Sequence, residues 1–209
     1  MRPYYQDEWV TIYHGDCREI LPQLDVKVDL VLTDPPYPDQ HPEYGNSDIS
    51  ILNGLNCRQL IFWSPKATFP LDYTAIHIWD KKTGSVCQYE RIFERNGQGI
   101  YKVYRFYLIN SPIAAKYTGD IYTGHDSQKP FKLIEKLILD YKMQPQVILD
   151  PFLGSGTTCY CAKRLNRRSI GIEIQEKYCE IAARRCSQGV FDFGSSLAVP
   201  GGIQVNCIG

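Results

Sequence analysis

Two short segments of this 209-residue chain combine residue types that suit chemistry at the end of a β-strand. The first is Asp34-Pro35-Pro36-Tyr37, which follows the apolar run 28–33. Its prolines lack backbone N–H donors, so the segment offers a carboxylate, carbonyl oxygens and an aromatic face. Such a group accepts hydrogen bonds and donates few, which suits it to hold an amino group and to stack the attached ring on Tyr37. A plain Asp-Pro turn is the alternative interpretation of the segment alone.

The second segment, residues 150–158, reads DPFLGSGTT and stands between a strand-like run and a helix-like run. Glycines there let the backbone approach a ligand closely, and the helix N-terminus offers free N–H groups to an anionic group. Glu173 follows about 20 residues later, where an acidic side chain accepts hydrogen bonds from ribose hydroxyls. The glycines alone are equally compatible with an ordinary strand-to-helix turn. Together with Glu173, they predict a nucleoside-bearing ligand with an anionic end.

The elements that must position these segments alternate between strand and helix. Apolar runs predict strands at 10–13, 28–33, 59–63, 74–79, 89–93, 146–149 and 169–173. Helical spacing predicts helices at 17–24, 130–141, 157–165 and 177–186. Residues 38–56 are polar and suggest a mobile loop, and residues 96–124 are irregular and rich in aromatic residues. The alternation predicts the α/β class with a mainly parallel sheet.

Composition narrows the class of protein. The chain is 44% hydrophobic and 22% charged, which is typical of one compact soluble domain. No apolar run approaches the length of a membrane span and the N-terminus lacks an apolar core, so we expect a cytoplasmic protein. None of the eight Cys forms a C-x-x-C pair, so we expect reduced thiols and no metal site.

The net charge is zero, but it is unevenly distributed. Residues 1–80 carry 5 basic and 12 acidic side chains, whereas residues 81–116 carry 7 basic and 2 acidic ones. This asymmetry predicts a basic face on an acidic body.

The order of the two segments, D-P-P-Y before F-x-G-x-G, resembles that of the beta-class amino-methyltransferases of DNA. Residues 13–17 (YHGDC), 78–81 (IWDK), 89–93 (YERIF) and 125–130 (HDSQKP) extend the resemblance over roughly residues 9–194. It implies a Rossmann-like, seven-stranded methyltransferase sheet with circularly permuted motifs and one antiparallel strand near its edge. It also implies a single domain over 1–194, with a short target-recognition region at about 94–124 and a loosely ordered tail at 195–209.

The resemblance implies S-adenosyl-L-methionine as the cofactor. The F-x-G-x-G residues would hold its methionine part and Glu173 its ribose, while Asp16 would reach the adenine amino group. Ser127 and Lys129 would lie beside the methionine carboxylate. The full implied set is Asp16, Cys17, Asp34, Ser127, Lys129, Asp150, Phe152, Gly154, Gly156, Thr157 and Glu173. In a permuted chain, the strand ending at Asp16 would lie beside the one ending at Glu173.

The expected reaction is methylation of an exocyclic amine on double-stranded DNA, with catalytic residues Asp34, Pro35, Pro36 and Tyr37. Because the amine is unreachable inside a duplex, the target base would be flipped out. Asp at the first motif position is similar to the adenine-N6 enzymes, whereas Ser is commoner in cytosine-N4 enzymes, so we predict adenine N6. Cytosine N4 and a catalytically silent cofactor-binding member remain alternatives. Carbon methylation is disfavoured because no Cys follows a Pro.

The basic segment supplies the candidate DNA contacts. These are Arg91, Arg95, Lys102, Arg105 and Lys116, and their alternative role is that of a solvated face. Dimers are common in the family, so a homodimer is a further expectation.

Overall fold

A computed structural model of the protein describes residues 1–39, 48–82, 88–109, 111–120, 122, 128–141 and 146–188. The strands within these residues are β1 (Tyr5–Gln6), β2 (Val10–His14), β3 (Leu30–Thr33), β4 (Arg58–Trp63), β5 (Ala75–Asp80), β6 (Tyr89–Arg95), β7 (Val103–Arg105), β8 (Val147–Asp150) and β9 (Arg168–Glu173). They form one sheet in the spatial order β1-β2-β9-β8-β3-β4-β6-β5-β7.

Seven of these strands reproduce the predicted sheet. Strands β2, β9, β8, β3 and β4 are parallel neighbours, and β6 runs antiparallel between β4 and β5. For these seven strands, the predicted mainly parallel arrangement with one antiparallel strand near the edge is confirmed, while the additional strand β1 pairs antiparallel with β2. The predicted count of seven is wrong for the whole sheet, because β1 adds to β2 and β7 adds to β5. These two strands have only two and three residues, too few for a periodic pattern to show.

The helices are α1 (Cys17–Ile20), α2 (Pro112–Thr118), α3 (Phe131–Leu139), α4 (Thr157–Arg164) and α5 (Glu176–Ser187). Short 3-10 turns cover Leu21–Gln23 and Ser50–Gly54. Helix α4 packs on β8 and β9 and contacts both α3 and α5. Among the described residues, no helix has the length and apolar character that crossing a membrane requires.

The core lies where the parallel strands meet the helices. All four residues of β3 are buried, as expected of a strand covered on both faces. The buried residues of α3 are those whose spacing predicted the helix: Phe131, Leu133, Ile134, Leu137 and Ile138. Their burial holds α3 against the sheet and fixes the preceding residues, Gln128 to Pro130, near the ends of the strands.

The predicted adjacency of the two ends of the chain is confirmed. His14 pairs with Glu173 in the parallel β2–β9 ladder, and the Gly15 N–H donates to the Glu173 carbonyl oxygen at 2.9 Å. We call the end of the sheet where the parallel strands finish the carboxyl edge. Because β6 is antiparallel, its first residues also lie at this edge, with Glu90 opposite Trp79.

Two irregular regions contain more structure than their sequences suggest. Residues 48–56 include the turn Ser50–Gly54, with Ile49 and Leu52 buried, so the predicted mobile loop is wrong there. Strand β7 and helix α2 lie inside the irregular segment 96–124. Residues 40–47 and the tail 195–209 lie outside the described residues.

Candidate functional site

A cavity of about 330 Å³ opens at the carboxyl edge of the sheet. The whole first segment, from Asp34 to Tyr37, lines it. Nine residues of the predicted cofactor set also line it: Asp16, Cys17, Asp34, Lys129, Asp150, Phe152, Gly154, Thr157 and Glu173. Ser127 lies outside the described residues. The two chemical segments therefore meet at one site, which follows from parallel strands ending at one edge.

Glu173, the last residue of β9, is held rigidly at one end of the cavity. Its Oε2 accepts from the Gly154 N–H at 2.8 Å, and its Oε1 accepts from the Gln175 N–H at 2.8 Å. Burial raises the pKa of Glu173, while the backbone donors oppose this rise. Each oxygen retains a lone pair, so the carboxylate can accept further hydrogen bonds from hydroxyl groups of a ligand.

Asp16 lies next to this end and caps α1. Its Oδ1 accepts from the Arg18 N–H at 2.8 Å, and its Oδ2 is 2.5 Å from Arg18 Nη2. Hydrogen bonds from Arg18 lower the pKa of Asp16. Beside it, burial raises the pKa of the Cys17 thiol to about 11, so Cys17 is a neutral apolar wall.

The glycine turn divides into a ligand-facing part and a packing part. Gly154 lines the cavity, whereas Gly156 is not among the lining residues. Gly156 has φ +80°, and a Cβ there would lie 2.7 Å from Ala182 Cβ on α5. This glycine permits a left-handed turn and close packing of α4 on α5, while its contact with the cofactor stays a prediction.

Asp150 and Thr157, which flank the glycine turn, stabilise it through hydrogen bonds. Asp150 is buried, and its Oδ1 accepts from the Thr33 hydroxyl at 2.7 Å and from the Phe152 N–H at 3.2 Å. Burial raises the pKa of Asp150 to about 6. Thr157 Oγ1 accepts from Arg185 Nη1 at 2.9 Å. Both side chains thus order the floor of the cavity.

The first segment leads into a buried group of charges. We call Asp34, Tyr37, Lys81, Glu90 and Lys129 the charge cluster. Lys129 forms an ion pair with Asp34 Oδ2 and lies 3.3 Å from Glu90 Oε2, while Lys81 Nζ is 2.6 Å from Glu90 Oε1. The Tyr37 hydroxyl lies 2.6 Å from Asp34 Oδ1 and 3.2 Å from Glu90 Oε2. Two carboxylates and two ammonium groups balance each other at the reactive end of the cavity.

The two carboxylates of the charge cluster differ in how readily they ionise. Burial raises the pKa of Asp34, and the opposing effect of Lys129 does not overcome it. Burial acts on Glu90 in the same sense, but Lys129 and Lys81 outweigh it and lower the Glu90 pKa. Burial disfavours the charged form of Lys129, but the two carboxylates outweigh it and raise the Lys129 pKa. Glu90 is therefore the carboxylate whose charge the cations stabilise more.

Two residues of the charge cluster are placed differently from their predictions. Tyr37 is 5% exposed, and its ring lies 5.9 Å from that of Trp63, so protein covers most of the ring even though it borders the cavity. Lys129 contacts Asp34 directly, although the resemblance assigned it to a ligand carboxylate. Both side chains fill hydrogen-bonding positions on Asp34 in this structure.

The candidate DNA contacts do not form one surface. Arg91 donates to the carbonyl oxygens of Ser64 and Ala67. Arg95 lies at the sheet edge opposite the cavity, where it donates to the Asp72 carbonyl oxygen at 2.7 Å. Lys102 is 3.0 Å from Asp140 Oδ2. These three side chains are engaged in the fold, which does not support their prediction as DNA contacts.

The remaining two candidates are accessible. Arg105 is paired with Asp80 in the parallel β5–β7 ladder, and its Nε lies 3.5 Å from Asp80 Oδ2, but its side chain is 66% exposed. Lys116 is exposed on α2. They remain predicted DNA contacts.

Three side chains that the structure brings to the site, Lys81, Glu90 and Arg18, had no predicted role. Glu90 and Lys81 belong to segments that carry the family resemblance, but only the antiparallel direction of β6 shows that Glu90 faces Asp34. Arg18 lines the cavity and covers Asp16. Its position two residues after a helix cap is the only sequence signal for that contact.

Comparison with known proteins identifies the family. Residues 58–184 match the N6/N4 methyltransferase family model, described as DNA methylase. The chain is 37% identical to the type II methyltransferase M2.DpnII of Streptococcus pneumoniae over 103 residues, which cover 44% of this chain and 38% of that protein. It is 48% identical to M.HinfI of Haemophilus influenzae over 62 residues, covering 30% and 17% respectively. The chain thus spans well under half the length of these curated relatives.

Solved structures share the fold over most of the chain. The structure of the M1.HpyAVI–SAM complex superposes with a TM-score of 0.61 and 25% identity, covering 84% of this chain and 99% of that one. The cytosine-N4-specific PvuII DNA methyltransferase has a TM-score of 0.63 at 16% identity, covering 88% of each chain, and supports the fold alone. Since the family model covers more than half of the chain, the protein belongs to the DNA methylase family of N6/N4 amino-methyltransferases.

Proposed function

We propose that the protein transfers a methyl group from S-adenosyl-L-methionine to the N6 amine of a flipped-out adenine in double-stranded DNA. The observation that carries this proposal is the position of Asp34, whose carboxylate lines the cavity together with the carbonyl-bearing prolines 35 and 36. The family match and the SAM complex of M1.HpyAVI support the same reaction class.

The residues around the cavity fit this cofactor chemically. Its ribose hydroxyls and amino groups are hydrogen-bond donors, and Glu173 and Asp16 offer carboxylate oxygens at one end of the cavity. Glu173 is already oriented by two backbone N–H groups, so binding requires little reorganisation. Phe152 and Gly154 would lie along the methionine part. When bound, the cofactor supplies a methyl group activated by its positively charged sulfur.

The chain contributes positioning and hydrogen-bond acceptors to the reaction. The amine of adenine is a weak nucleophile because its lone pair is delocalised into the ring. Hydrogen bonds from the amine to Asp34 and to the Pro35 carbonyl oxygen favour a pyramidal nitrogen and direct its lone pair. The amine that takes up the methyl group must lose one proton, and Asp34, which accepts its hydrogen bond, would receive that proton and pass it to solvent. Tyr37 must leave its buried position if it is to stack on the base.

The choice of adenine depends on Asp at the first motif position. The N4 amine of cytosine would satisfy the same acceptors, so cytosine N4 is the alternative target. A catalytically silent member of the family would bind the cofactor and modify neither base.

Methyl transfer to duplex DNA by an Asp34→Ala variant tests the role of Asp34. We expect loss of about 100-fold or more in kcat, because the main acceptor for the amine is removed. Cofactor affinity, measured by titration calorimetry, should remain within about threefold, because Glu173 and Asp16 are untouched. Turnover at the rate of the unmodified chain would exclude Asp34 from the mechanism.

A further inference from the structure

Glu90 is the buried carboxylate of the charge cluster that the proposed reaction does not use. It is 8% exposed. Its Oε1 is 2.6 Å from Lys81 Nζ, and its Oε2 faces both Lys129 Nζ at 3.3 Å and the Tyr37 hydroxyl at 3.2 Å. A buried carboxylate is costly unless it is paired, so these contacts explain how Glu90 is tolerated. They do not explain why a second carboxylate stands next to Asp34.

The groups that already contact Asp34 suggest a role for Glu90. The Oδ1 of Asp34 is hydrogen-bonded to Tyr37 at 2.6 Å, and its Oδ2 is ion-paired with Lys129. An amine that donates to Asp34 must compete with these two groups for the carboxylate oxygens, and most strongly with the charged Lys129. Lys129 is 8% exposed and lies 5.2 Å from the centroid of the Phe62 ring, so it has no solvent nearby to receive its charge. If Asp34 moves away, Glu90 Oε2, 3.3 Å from Nζ, is the carboxylate that can keep this buried ammonium paired.

We propose that Glu90 is a positioning residue that retains Lys129 when Asp34 takes the target amine, a role that rests on the proposed function. Glu90 Oε2 is already 3.3 Å from Lys129 Nζ, so a shift of under about 1 Å gives a close ion pair. Lys81 stays on the other oxygen of Glu90. Asp34 then has an oxygen available for the amine, while every charge remains paired. The lower pKa of Glu90 and the higher pKa of Asp34 agree with this order of preference.

The Glu90→Gln variant tests the role because it leaves Lys129 with Asp34 as its charged partner. We expect kcat for methyl transfer to fall about tenfold to 100-fold. Cofactor affinity should stay within about twofold, because Glu173 and Asp16 are unchanged. A Glu180→Gln variant removes an exposed carboxylate from α5 and serves as the matched control, with unchanged kcat.

The pH profile separates this role from simple packing. The ionisable groups facing Lys129 are Asp34, Glu90 and the Tyr37 hydroxyl, with Lys81 behind Glu90. Both carboxylates raise the Lys129 pKa, so removing Glu90 lowers it. As the pH rises from about 7 to 9.5, Lys129 loses its proton earlier in the variant and releases Asp34. The difference in kcat between the unmodified chain and Glu90→Gln should therefore narrow. A packing defect would lower kcat by one factor at every pH.

A second pair of variants tests whether Glu90 acts through Lys129. In a Lys129→Gln background, adding Glu90→Gln should change kcat by less than about twofold, since no ammonium remains to be retained. This comparison also serves if Glu90→Gln alone does not fold. The role of Glu90 would be overturned if the ratio of kcat between the unmodified chain and Glu90→Gln were the same at every pH. It would also be overturned if Glu90→Gln lowered kcat by the same factor with and without Lys129→Gln. Unchanged kcat in Glu90→Gln overturns that role alone, whereas no methyl transfer by the unmodified chain overturns the proposed function and this role with it.

Discussion

Replacing Gly156 with alanine should destabilise the protein and leave cofactor affinity nearly unchanged. Its φ of +80° costs an L-residue about 1–2 kcal/mol. The new Cβ would lie 2.7 Å from Ala182 Cβ and 3.0 Å from its Cα, and such overpacking costs about 1–3 kcal/mol. The free energy of unfolding should therefore fall by about 2–5 kcal/mol. For a domain of this size, Tm should fall by about 4–20 °C.

The control variant is Gly119→Ala. Gly119 also has a positive φ, +73°, but a Cβ there would meet nothing within 4 Å. The Gly119→Ala variant therefore introduces the unfavourable backbone conformation without overpacking. Its free energy of unfolding should fall by only about 1–2 kcal/mol. Urea unfolding gives both free energies, and calorimetry with S-adenosylhomocysteine reports on the cavity. The packing role of Gly156 would be refuted if Gly156→Ala and Gly119→Ala lost the same free energy of unfolding. It would also be refuted if Gly156→Ala kept its stability but bound S-adenosylhomocysteine more weakly.

Three further predictions concern the cofactor end of the cavity and the DNA surface. Glu173→Gln leaves one backbone N–H without a carboxylate acceptor. In calorimetry, S-adenosylmethionine should therefore bind about tenfold to 100-fold more weakly. An unchanged affinity would show that Glu173 does not belong to the cofactor site. Arg105→Ala should weaken duplex binding in fluorescence anisotropy. Arg95→Ala should lower Tm and leave duplex affinity unchanged. If Arg95→Ala weakened duplex binding and Arg105→Ala did not, the DNA interface would lie at the other edge of the sheet. If the exposed Arg105 and Lys116 make the phosphate contacts, log K against log salt should have a slope of about −2 per monomer, and a slope near −10 would indicate another surface.

The sequence predicted the position of a residue best when that residue stands at the carboxyl end of a single strand. Asp34 and Glu173 each follow an apolar run, and parallel strands finish at one edge, so both reach the cavity as predicted. The same logic fails for β6, because an apolar run does not reveal its direction. Reversal of β6 brings Glu90 to the cavity and carries Arg95 to the opposite edge.

Contacts between distant parts of the chain account for the other differences. The need for glycine at 156 comes from Ala182 on α5, which no local motif specifies. The burial of Tyr37 depends on Trp63 and Glu90, which lie on strands far away in sequence. Local sequence therefore predicted the chemistry of the segments better than it predicted their partners.

The most direct test of the proposed function is nucleoside mass spectrometry of duplex DNA incubated with the protein and S-adenosylmethionine. We expect N6-methyladenine with the unmodified chain and none above background with Asp34→Ala. N4-methylcytosine would contradict the choice of adenine while keeping the role of Asp34. No modified base in either sample, with cofactor binding intact, would contradict methyl transfer to DNA by this chain.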